Sequence, residues 1–150
     1  MSSQNATAAD AELILKLYDL RREPEMRKAR NYLAVEFWPK SADDIIKLVS
    51  QFGSQENAWF RQVSGYWTMA ASLVLRGALN EQLFFDSSAE MYFVYCKIRP
   101  FIKELREKLN MPEFLQKVET LAERTPEGKQ RIEAISQRQK QFAASRTAAA

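Results

Sequence analysis

The chain has 150 residues, of which 46% are hydrophobic and 27% charged, and it carries a net charge of +3 with no histidine and a single cysteine, Cys96. The absence of histidine removes the commonest acid–base group near neutral pH, the usual activators of serine and cysteine nucleophiles, and the commonest zinc ligand. One cysteine excludes an internal disulfide framework and any cysteine cluster for zinc or iron–sulfur, and with histidine also missing no catalytic residue, cofactor or metal site is assigned from the residue pattern.

The length suits one domain, and four glycines and five prolines suit helices joined by short connections. The expected fold is all-α: a single-domain bundle of about five to seven helices. Its opening stretch, MSSQNATAADAELILKLYDL, has no basic leader, and Lys16 and Asp19 interrupt its first apolar group. No signal peptide is expected, and the cytoplasm is the expected location. The first helix should start near residues 8–10, capped by Thr7 or Asp10, and carry Leu13, Ile14, Leu17 and Tyr18 on one face. Pro24 fits the first turn of a second segment carrying Met26, Ala29, Leu33 and Phe37, which Trp38-Pro39 should stop.

Ser41 and Asp44 have capping-box spacing ahead of Ile45, Ile46, Leu48, Val49 and Phe52. Ser54 can cap the longest helix, on which Trp59, Val63, Trp67, Ala70 and Val74 recur at three and four, with Phe60, Met69 and Leu73 widening the apolar arc. A helix so broadly apolar belongs in the middle of a bundle. The uncharged stretch 62–75 is too short to be a membrane span, which needs about twenty residues.

Gly77 can end this helix in the left-handed conformation, and residues 79–85 should form a short helical piece. Ser87 and Glu90 then have capping-box spacing ahead of a stripe formed by Met91, Val94, Tyr95, Ile98, Ile102, Leu105 and Leu109. Pro100 predicts a kink near residues 96–99. On this helix Cys96 falls beside Tyr92, Arg99 and Lys103, away from the stripe. It reads either as an activated thiol or as a small filler under a second helix layer. Asn110-Met111-Pro112 should restart a helix with Phe114, Leu115, Val118 and Leu121. After Thr125-Pro126 the apolar residues thin to Ile132, Ile135 and Phe142, and SRTAAA should fray. The expected organisation is a bundle over residues 1–123 and a basic, partly helical tail over 124–150.

The segment LVLRGALNEQLFFD and the later YCKIRPFIKELREKLNMPEFLQKVETLAER resemble an uncharacterised family of small bacterial helical proteins known only as a domain of unknown function. The likeness lies in the apolar helix, the turn at Gly77, the short acidic helix, and the step formed by Ile98, Pro100 and Arg106. It covers roughly residues 66–124. The resemblance implies an all-helical fold and no particular reaction or ligand.

Three residue groups are candidates for function. Ile132, Ile135, Gln139 and Phe142 have the spacing of a short helical seam, too short to stand alone, which marks a contact for a homo-oligomer or a protein partner. Cations concentrate in two places: residues 21–30 hold five against two anions, and residues 124–150 hold six against two, whereas residues 1–20 are net −2. Arg21, Arg22, Arg27, Lys28, Arg30, Lys129 and Arg131 are therefore candidates for binding nucleic acid or another anionic partner. Against that stand Glu127 with Arg131 and Lys129 with Glu133, which are i,i+4 pairs typical of a solvated helix. Trp38, Trp59 and Phe93 sit at the borders of their stripes and are candidates for the aromatic groove of a small-molecule binder or enzyme. Self-association or protein binding without catalysis is the leading expectation.

Overall fold

A computed structural model describes residues 4–149, and every regular element among them is helical. Helix α1 (Ala8–Arg21) opens with a reciprocal box: the Thr7 hydroxyl accepts the Asp10 N–H, and the Asp10 carboxylate accepts the Thr7 N–H. Pro24 occupies the first position of α2 (Pro24–Asn31), where its missing N–H leaves no bond unmade. The chain then widens into a π-helical turn (Tyr32–Glu36) and becomes extended at Phe37, ahead of Trp38-Pro39.

Helices α3 (Ala42–Ser50) and α4 (Gln55–Leu75) are capped by the Ser41 and Ser54 hydroxyls, as their spacing predicts. Between them Asn57, fully buried, donates from Nδ2 to the carbonyls of Leu48 and Val49, satisfying the open end of α3. Helix α4 is the centre of the molecule. It packs against α2, α3 and α8 (Gln116–Glu123), burying Phe60, Val63, Trp67, Ala70, Ala71 and Val74. Each large side chain removed from water here contributes roughly 1.5–3 kcal/mol. Gly77, at φ +78°, stops the helix in the backbone region that disfavours a Cβ.

The remaining chain is α5 (Glu81–Ser87), α6 (Ala89–Ile98), a 3₁₀ turn (Arg99–Phe101), α7 (Ile102–Lys108), α8, and α9 (Pro126–Ala149). The expected kink is this 3₁₀ turn around Pro100, with right-handed helical angles at Ile98, Arg99 and Ile102 on either side. No helix among the described residues is long and apolar enough to cross a membrane.

Four local expectations need correction. Ser87 does not form a capping box with Glu90: its hydroxyl bonds back to the Leu83 carbonyl at the end of α5, and Glu90 reaches Arg30 instead. Phe52 leaves the α3 face and is 79% exposed. The restart after Pro112 is delayed to Gln116, because Asn110 and Leu115 take left-handed backbone angles. Helix α9 continues unbroken through SRTAA to Ala149, past the point where fraying is expected.

Candidate functional site

Helix α9 lies across α6 and α8, while α2 packs on α4, and a cleft of about 1040 Å³ runs between α2 and α9. One wall carries Arg27, Arg30 and Asn31; the other carries Glu127, Gln130, Arg131 and Arg138. The floor is apolar, formed by Phe85, Ala89 and Phe93 with Ala34, Ala134 and Ile135 at its edges. Both walls repeat at helical spacing, so a row of polar heads stands on each side of an apolar trough.

The four arginines are held differently. Arg30 is committed: Nε and Nη2 donate to the Glu90 carboxylate at 2.8–3.1 Å, and Nη1 donates to the Arg21 carbonyl at 3.0 Å. That bidentate pair bridges α2 to α6 and raises the guanidinium pKa through the Glu90 hydrogen bonds. Arg131 lies flat on Phe85, 3.5 Å from the ring centroid, and Nη1 donates to the Phe85 carbonyl at 2.7 Å. Arg27 and Arg138 are exposed, and neither has an ion-pair partner among the described residues. These two uncompensated cations, one on each wall, set the character of the cleft.

The cleft closes where α9 returns to the π-helical turn. There Arg146 Nη1 donates to the Val35 carbonyl at 2.7 Å, and the Phe142 and Trp38 rings lie 4.9 Å apart. Beneath them Lys97, 6% exposed, sends Nζ to the carbonyls of Leu33, Ala34 and Phe37 at 2.5, 3.1 and 2.9 Å. The Trp38 ring centroid is 3.7 Å from the same nitrogen. Three acceptors match the three hydrogens of an ammonium, and they satisfy carbonyls that the π-turn leaves open. Burial nonetheless pushes the Lys97 pKa down to about 7.

The residues singled out from sequence fall in different places. Arg27, Arg30 and Arg131 meet in the cleft, so two basic segments a hundred residues apart do come together. Arg21 does not join them. It is buried, donates to the Tyr66 hydroxyl at 3.1 Å and lies over Trp67, which removes it from any exposed anion site. Arg22 faces Tyr18, Lys28 pairs with Glu25, and Lys129 does not line the cleft. Arg131 turns inward onto Phe85 instead of pairing with Glu127. Arg138, absent from the expected set, completes the cleft; its sequence signal is its position seven residues beyond Arg131 on the same helix.

Of the seam Ile132, Ile135, Gln139 and Phe142, the first and third are buried within the chain, while Phe142 stays 48% exposed. The Ile132 carbonyl accepts from the Cys96 thiol, Gln139 Nε2 donates to the Phe93 carbonyl, Ile135 is half-buried, and Phe142 meets Trp38. The same helix covers Cys96, whose thiol pKa is pushed up by burial, so the activated-thiol alternative does not hold. The three groove aromatics do not share one groove. Trp38 and Phe93 are edge-to-face at 6.4 Å, while Trp59 packs at a tilt against Tyr32 beside a separate hollow of about 500 Å³. Among the described residues, no group of three or more cysteine or carboxylate side chains is placed to hold a metal ion.

The molecule is thus an α-helical bundle whose distinctive surface feature is a basic, apolar-floored cleft. Residues 6–125 match the family model described as a domain of unknown function, DUF4760, and the chain belongs to that family. No curated protein and no solved structure matches it. The matched region supplies α2, α5 and α6, and hence one wall and the floor, whereas the α9 wall lies beyond it.

Proposed function

We propose that this protein is a non-enzymatic, cytoplasmic binding protein whose α2–α9 cleft receives an acidic, partly apolar helix of a protein partner. The observation that carries this reading is the convergence of two remote basic segments on the walls of one trough, with Arg27 and Arg138 left without acidic partners. An apolar centre with an arginine-bearing polar rim is the pattern of a protein-binding surface. The length fits as well: Glu127 to Arg138 spans about 16 Å of helix axis, about three turns of a bound helix.

Binding of nucleic acid is less well supported. Glu127 stands in the cleft wall without an ion-pair partner among the described residues, where it repels phosphates but suits a partner that carries some positive charge. The apolar floor also gives a phosphodiester backbone nothing to contact. The test is selection from a random 16-residue peptide display library on the intact protein, with Arg27→Glu/Arg138→Glu as the counter-target. Enrichment of peptides with apolar residues at three and four flanked by carboxylates, bound at least about tenfold more weakly by the double variant, supports the reading. Enriched peptides without that pattern, or equal binding to both proteins, overturn it.

A further inference from the structure

The chain itself carries a surface of the kind that this cleft is suited to receive. Helix α1 buries Leu17 and Arg21 on one face and packs on α5 and α2. Its opposite face presents Leu15, 66% exposed, and Tyr18, 51% exposed, one helical turn apart. Ala8 and Ala11 continue that face towards the N-terminus with small side chains that allow close approach. Glu12 and Asp19 run along one side of it, neither with an ion-pair partner among the described residues, and the Arg22 guanidinium lies over the Tyr18 ring at its C-terminal end.

Adjacent exposed large apolar side chains on one helix face, rimmed by charge, mark an interaction site more than scattered surface residues do. The face and the cleft are complementary in three respects. Unpaired carboxylates on one correspond to unpaired guanidiniums on the other. Leu15 and Tyr18 correspond to the trough of Phe85, Phe93 and Ile135. Lys16, exposed beside the face, corresponds to Glu127 on the cleft wall. Helix α1, 14 residues and so about 21 Å long, can span the α9 wall.

We infer that the cleft's partner is a second copy of this chain, bound through the Leu15–Tyr18 face of its α1. This identification rests on the reading of the cleft as a helix receptor. The contact joins two different patches and is therefore head-to-tail, closing into a ring or extending into a chain of copies.

Light scattering on the full chain over a concentration series tests the inference, using two variants that each spoil one patch at exposed positions: Leu15→Asp on α1 and Arg138→Glu in the cleft. The wild type should associate, and each variant alone should associate at least about tenfold more weakly. An equimolar mixture should form dimers but nothing larger, because one intact cleft meets one intact α1. Circular dichroism should be unchanged in both variants. A wild-type monomer at every concentration overturns the inference, as does association that persists in both variants or a mixture that stays monomeric. In those cases the peptide selection decides the cleft separately: acidic helical peptides that depend on Arg27 and Arg138 leave the receptor reading standing with an outside partner, and their absence removes both.

Discussion

The helices at the two ends of the packing order are held by different chemistry. Helix α4 is held by apolar burial: Phe60, Val63, Trp67 and Ala70 are each 1% exposed or less. Helix α9 buries only Gly128, Ile132 and Gln139. What fastens it is a series of polar side chains donating to backbone carbonyls: Arg131 to Phe85, Gln139 to Phe93 and Arg146 to Val35, with the Cys96 thiol reaching Ile132 in the opposite direction. Apolar burial is non-directional and scales with area, so it makes a foundation. Single hydrogen bonds contribute only about 0.5–1.5 kcal/mol net each, but they fix position, which is what a cleft wall needs.

The largest break in this comparison should come from Trp67→Ala, which empties the middle of the α4 interface. Removing a buried tryptophan costs about 3–5 kcal/mol, and chemical denaturation should show a matching drop in midpoint with one cooperative transition. Gly128→Ala should act more locally. A Cβ there would stand 2.3 Å from the Ala122 carbonyl oxygen, a backbone atom that cannot swing away, so α9 must lift from α8. About 1–3 kcal/mol is expected, read as faster amide exchange in α9 with α4 still protected. Equal loosening of both helices would mean that α9 belongs to the foundation after all.

Lys97 sharpens the contrast through pH. Its folded pKa, about 7, lies below the ordinary lysine value of 10.5, so between these values the unfolded chain binds more protons than the folded one. Stability from this group therefore rises with pH above 7 and is lost as pH falls to 7, with a slope of at most about 1.4 kcal/mol per pH unit. Denaturation midpoints of the wild type should climb from pH 7 to pH 9 relative to those of Lys97→Met, and run parallel below pH 7. Parallel curves across the whole range would show that the three carbonyls hold the ammonium charged throughout.

The same division explains what was legible in the sequence. Apolar spacing placed α4, and local chemistry placed its neighbours' ends: Thr7, Ser41 and Ser54 cap where their positions predict, and Gly77 stops α4. These signals act over three or four residues and survive folding unchanged. Glu90 misled because its local partner lost to Arg30, sixty residues away. Arg21 looked solvated because nothing nearby in sequence shows Tyr66 and Trp67 waiting for it. Lys97 carries a signal of its own, since a lone cation inside MYFVYCKI must be satisfied by something distant, but the sequence does not show what. Charged residues of α9 likewise read as a solvated face, since only the fold brings α2 opposite them.

The smallest expected effect on stability belongs to Arg138→Glu, and it separates the wall's structural work from its binding work. Arg138 is exposed, makes no ion pair among the described residues, and stands beside an apolar trough that it does not fill. Reversing its charge removes no packed atoms, so the denaturation midpoint should move by no more than about 0.5 kcal/mol. The potential in the cleft changes far more, because one of its two unpaired cations becomes an anion facing Arg27 across the trough. Association with an acidic helix should then weaken and lose much of its dependence on salt, measured as the slope of the dissociation constant against ionic strength. A large loss of stability would make Arg138 part of the fastening of α9 and remove it from the binding surface. A small loss with weakened binding assigns the two kinds of polar residue on α9 to separate tasks, Arg131 and Gln139 to holding the wall in place and Arg138 to what the wall meets.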